Sequence, residues 1–135
     1  MSTGVKCDDE CLTAFNKLKL EKRMRYVLFA LNDTNEIIKV AKCARRDATY
    51  NEFLNDLQSF SQRGKGVYAV YDYEWGNKME LVFVVWCPDS IPIRSKMILA
   101  GSKEALKRKL VGVKRQIEAN EIDEISEIEM QERIR

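Results

Sequence analysis

Histidine is absent from this 135-residue sequence. That removes the commonest general base and the commonest metal ligand. Long apolar runs are absent too: the longest, Leu81–Cys87, spans seven residues, against about 20 for a membrane helix. The opening stretch, Met1 to Cys11, has no apolar core of signal-peptide length. The sequence therefore reads as a cytoplasmic protein that is not transmembrane. Net charge is only +2, small for a dedicated nucleic-acid binder, so no nucleic acid is expected as partner. Linkers, repeats and low-complexity segments are missing, which leaves one domain over residues 1–135. The four cysteines, Cys7, Cys11, Cys43 and Cys87, read as free thiols in a reducing compartment.

What is present is a regular alternation of helical and strand patterns. Residues 1–7 are small and polar without a period and are expected to form a flexible N-terminal arm. Asp8 or Asp9 opens a helix whose Cys11, Ala14, Phe15 and Leu18 make one stripe. Tyr26–Leu31 reads as a strand covered on both faces. Residues 32–35 make a turn, and Ile37–Cys43 is a second strand. Thr49-Tyr50-Asn51-Glu52 is a capping box before a helix with Tyr50, Phe53, Leu54 and Leu57 on one side. Val67–Tyr73 and Met79–Trp86 are two more strands around Trp75-Gly76-Asn77. A long helix runs from about Ile93 to Leu110, a short fifth strand covers Gln116–Ala119, and a last helix begins at a second capping box, Ser126-Glu127-Ile128-Glu129. This order gives an α/β fold: a five-stranded mixed sheet flanked by helices on both faces.

Charge is unevenly spread. Residues 94–115 hold Arg94, Lys96, Lys103, Lys107, Arg108, Lys109, Lys114 and Arg115 against the single acid Glu104. Residues 118–132 hold seven acids and no base. A basic face beside an acidic segment points to a charged partner surface. No catalytic constellation accompanies it. Cys7 and Cys11 lack the further ligands a metal site needs, Cys87 has no base partner, and Gly64-Lys65-Gly66 lacks phosphate-loop spacing. Neither enzyme activity nor a cofactor is expected.

Several segments match one family, in order. Asp9-Glu10-Cys11, Phe15 to Lys19 and Arg25 to Phe29 resemble the opening helix and first strand of the actin-depolymerising factor/cofilin family. Tyr68 to Glu74 resembles a later strand. Trp86-Cys87-Pro88-Asp89 followed by Arg94-Ser95-Lys96-Met97 is the most specific piece. Ser102 to Leu106 and Gly112 to Ala119 extend the match over nearly the whole chain.

The resemblance implies a monomeric, non-enzymatic protein of the actin cytoskeleton. It would bind actin monomers and filaments, sever filaments and speed turnover, with phosphoinositides competing for its basic surface. The monomer-binding surface would comprise Gly4, Val5, Arg94, Lys96, Met97, Glu104, Lys107 and Arg108. The filament-binding surface would comprise Lys78, Glu80, Glu132 and Arg133. Glu80 stands where the family usually has a base, Gly101 where it mostly has serine, and Leu99 where tyrosine is common. A regulatory phosphorylation position falls on Thr3, with Ser2 beside it. Two other functions fit the same residues: a module of this fold that binds actin without severing, as coactosin- or twinfilin-like modules do, and a phosphoinositide or acidic-protein adaptor.

Overall fold

Alternation along the strands decides how the layers form. In β2 (Met24–Leu31), Tyr26 and Leu28 enter one core while Val27 and Phe29 enter the other, because successive side chains leave a strand on opposite faces. A strand buried on both sides must be apolar throughout, which is why its sequence shows no alternation. The same holds for residues 67–71 of β4 (Val67–Trp75) and residues 82–86 of β5 (Lys78–Trp86). The computed structural model describes residues 4–134.

The strands form one mixed sheet in the order β1-β3-β2-β4-β5-β6. The outer pairs, β1 with β3 and β5 with β6, are parallel, and the inner pairs are antiparallel. Helices α1 (Asp9–Asn16) and α3 (Ile93–Lys107) cover one face, where Phe15, Leu18, Leu99 and Leu106 pack on Val27, Phe29, Val70 and Phe83. Helices α2 (Tyr50–Gln62) and α4 (Glu127–Ile134) cover the other, where Phe53, Leu57, Met130 and Ile134 pack on Tyr26, Tyr71, Val82 and Ile117.

The sheet has six strands rather than the expected five. The extra one is β1, Lys6–Cys7, which lies parallel to the start of β3 (Ile37–Arg45). Its amides are satisfied there: Lys6 N–H donates to Glu36 O at 3.2 Å and Asp8 N–H to Ile38 O at 2.9 Å. Lys6 and Cys7 are therefore part of the sheet and not of a flexible arm. A two-residue strand is too short for any period to announce it. The expected phosphorylation positions, Ser2 and Thr3, lie outside the described residues.

Local signals behave as their chemistry requires. The Asp8 carboxylate accepts from Glu10 N–H at 3.0 Å and Thr49 Oγ1 accepts from Glu52 N–H at 3.2 Å, so each opens its helix. Ser126 Oγ accepts from Glu129 N–H at 3.3 Å at the start of α4. Helix α1 continues into a π-helical turn, Lys17–Glu21, closed by Lys22 in the left-handed region at φ +58. β6 covers Arg115–Ala119, one residue longer than expected.

One buried charge organises the α1/α3 face. Asp72 on β4 is 1 % exposed. Lys22 Nζ and Arg46 Nη1 reach its Oδ2 at 3.0 and 2.8 Å, and Arg25 Nη1 donates to its backbone oxygen at 2.9 Å. Arg25 and Arg46 also hold Glu74, whose carboxyl is pushed below its ordinary value by the hydrogen bond from Arg25 and then that from Arg46.

Candidate functional site

α3 carries two kinds of apolar residue. Leu99, Ser102 and Leu106 face the sheet and are buried. Ile93 and Met97 point away from it and are 74 % and 63 % exposed. At about 100° per residue, Ile93, Arg94, Met97, Ala100, Gly101, Glu104, Lys107 and Arg108 share the outward face. Except for the half-buried Gly101, all are exposed. Large aliphatic side chains on the outer face of a helix cost solvation, and a partner surface relieves that cost.

The helix start breaks a local rule. Pro92 is the N-cap, no side chain accepts from the first turn, and no acid stands there. Arg94 and Lys96 occupy that turn instead, although the dipole favours cations at the opposite end. Helix stability does not explain two bases at the positive end, whereas contact with an acidic partner would.

Most of these cations are unengaged. Lys103 pairs with Glu118 at 3.1 Å and Arg115 with Glu80 at 2.5 Å. Arg108 Nε donates to the Glu104 backbone oxygen at 3.2 Å. Arg94, Lys96, Lys107, Arg108, Lys109 and Lys114 form no ion pair among the described residues. Lys96 departs from the expected cluster. It is half-buried, about 100° round the helix from Met97, and close enough to Cys87 to oppose, in part, the upward push of burial on that thiol.

The arm reaches the same side. Val5 packs against the core beneath α1 and α3. The β2–β3 turn residues Asn32 and Asn35 line a hollow with Gly4 and Val5 on one side, and another with Ser95 and Leu99 on the other. Gly66 lets the α2–β4 loop close against α3: a Cβ there would sit 2.6 Å from Leu99 Cδ2 and 2.7 Å from the Trp86 oxygen.

The second set of residues converges at the opposite end of β5. A two-residue loop joins Trp75 to Lys78, which are paired across the hairpin. Gly76 takes φ +62, a conformation that suits glycine in such loops. Lys78 Nζ donates to the Ile134 oxygen at 3.2 Å, so the hairpin tip is tied to the end of α4, beside Glu132 and Arg133. Glu80 differs from expectation. It is not a bare acid facing outward: Arg115 Nε and Nη2 donate to its two oxygens at 2.5 and 3.4 Å, because β5 and β6 are neighbours in the sheet. β5 separates the two surfaces by nine residues, roughly 27 Å.

A family model described as cofilin/tropomyosin-type actin-binding protein matches residues 4–135. The chain belongs to the cofilin family of actin-binding proteins. Actophorin of Acanthamoeba castellanii is 37 % identical over 135 residues, covering 97 % of this chain and 95 % of that protein. The cofilin of Saccharomyces cerevisiae is 40 % identical over 138 residues, covering 98 % and 93 %. The crystal structure of Streptomyces griseoflavus cofilin has a TM-score of 0.89 at 33 % identity, covering 98 % of this chain and all of that one.

Within this cofilin-family fold, the structure brings Gly4, Val5, Arg94, Met97, Glu104, Lys107 and Arg108 to one side, with Lys96 at its margin. It brings Lys78, Glu132 and Arg133 to the other end. Sequence reading passed over Ile93, counting it only as a helix start. Its signal was available: it stands four residues before Met97, and neither falls in the Leu99–Leu106 stripe.

Proposed function

We propose that this chain binds actin monomers through α3 and the arm, bridges filament subunits through the hairpin and α4, and severs filaments. It acts by binding, without catalysis, as a monomer in the cytoplasm. The observation that carries this reading is the outward face of α3. Ile93 and Met97 provide an apolar centre that unpaired cations border. Such an element suits helix-in-groove recognition: the aliphatic side chains enter a cleft and the charges fix orientation at its rim. Phosphoinositides would compete for the same cations.

Severing requires two subunits to be held at once, so the hairpin end is its second contact. Lys78 and Glu80 are both engaged within the fold, which favours a weak filament contact and keeps open the second reading, actin binding without severing. Imaging single filaments while the protein is added tests both. Severing events above the spontaneous rate are expected. Filaments that bind the protein and stay intact would leave the non-severing reading, and absence of any actin binding would overturn both. Vesicle pelleting with and without actin tests the lipid competition.

A further inference from the structure

We propose that Trp75 is the apolar anchor of the filament-side surface, inserted into a hollow on the second actin subunit; this rests on the actin-binding reading above. The two tryptophans of the chain contrast sharply. Trp86 is 3 % exposed, and its indole N–H donates to the Leu57 oxygen and Ser61 Oγ, both at 2.9 Å. It is a satisfied core residue. Trp75 is 37 % exposed, and its indole N–H has no hydrogen-bond partner among the described residues.

Its position in the fold is specific. Strand alternation puts Trp75 on the same face as Tyr71 and Tyr73, which enter the α2/α4 core. Its cross-strand neighbour is Lys78, whose ammonium is held by the last carbonyl described in α4. The ring therefore stands at the hairpin tip beside Lys78, on the face of the sheet that α4 covers. The short loop allows the tip little freedom, so the ring is presented without a large ordering cost.

The charges there are partly engaged within the fold: Glu80 is paired with Arg115, and Lys78 gives one of its three ammonium N–H groups to the Ile134 oxygen. The group with both unburied apolar surface and an unused donor is Trp75. Tryptophan dominates interface energetics because one rigid side chain buries a large area and still offers an N–H. The matching partner surface is an apolar hollow edged by a hydrogen-bond acceptor. α3 lies a strand's length away on the first subunit, so this hollow belongs to the second.

The test compares wild type, Trp75→Ala and Trp75→Phe in two assays: cosedimentation with actin filaments at low and high salt, and affinity for ADP-actin monomers. Trp75→Ala is expected to weaken filament binding about 30-fold, by the same factor at both salts because the contact is apolar. Monomer affinity should stay within about twofold of wild type. Trp75→Phe keeps a ring and should recover most of the loss, which also guards against a folding defect in the alanine variant. Trp75→Ala pelleting like wild type would overturn the proposal, and so would an equal loss in both assays. Wild type that binds neither monomers nor filaments would overturn the functional reading instead.

Discussion

Glu80 and Arg115 face each other across β5 and β6, with Arg115 Nε 2.5 Å from Glu80 Oε2. The pair fixes the beginning of the parallel β6 to the sheet edge. Glu80→Lys therefore does more than add a base to the hairpin: it sets two cations against each other. We expect a loss of about 1 kcal/mol, or roughly 3–5 °C in Tm for a chain of this size. Glu80→Arg with Arg115→Glu should restore most of it. A melt of Glu80→Lys that matches wild type would show the pair to be inert.

Replacing Arg94 and Lys96 together by alanine should weaken ADP-actin monomer binding at least tenfold, most visibly at low salt. Stability should move by no more than about 0.5 kcal/mol, because neither makes an ion pair among the described residues. Ile93→Ser with Met97→Ser should weaken binding at all salt concentrations. Titrations of labelled actin at two ionic strengths separate the two contributions, and unchanged affinity in both variants would remove α3 from the interface.

Asp72→Ala should be among the most destabilising single changes. It leaves Lys22 and Arg46 without the carboxylate they share; both cations retain some solvent and Arg46 keeps Glu74, so the loss is about 2 kcal/mol. Actin affinity of the fraction that stays folded should be unaltered. Urea melts report the first effect and titration at low temperature the second.

Stability should be nearly flat between about pH 6 and 8, because no histidine is present to change charge there. Burial pushes the Cys11 thiol from 9.0 up to about 12. The raised value favours folding fully below 9, and its contribution is lost as pH rises from 9 towards 12, where the unfolded chain ionises first. Glu74 and Glu124 are shifted down from 4.5, Glu74 chiefly by Arg25 and Glu124 by the Asn120 and Glu121 amides. Their contribution is present above 4.5 and fades as pH falls below it. Urea midpoints across the pH range test all three regimes; a step between about 6 and 8 would contradict the first.

Asp at Thr3 or Ser2 should reduce monomer affinity, since the arm enters the fold at Gly4 on the α3 side and a carboxylate there opposes an acidic partner. Equal binding by both variants and wild type would dismiss the switch.

The layers were legible because burial dictates periodicity. Tyr26–Leu31 read as a doubly covered strand and Met79–Trp86 as a strand, and the Phe15–Leu18 and Phe53–Leu57 stripes told which sides the helices bury. The site was legible on α3, where family residues and helical spacing coincide. What escaped depends on which segments become neighbours in the sheet. Nothing near Glu80 in sequence announces Arg115, 35 residues on. Nothing near Lys78 announces the Ile134 carbonyl, 56 residues on. Both appear only once the hairpin, β6 and α4 are placed together: Glu80 becomes one half of an ion pair, and Lys78 a tie between the hairpin and α4.

β5 runs without interruption from the hairpin tip to Trp86, hydrogen-bonded to β4 along its whole length and to β6 from Val82 onward. A strand held along one full edge and half of the other can neither lengthen nor fold. The molecule thus works as a fixed gauge: a partner whose two docking points are set at another separation can satisfy one end only, and any adjustment needed to seat both must come from the partner.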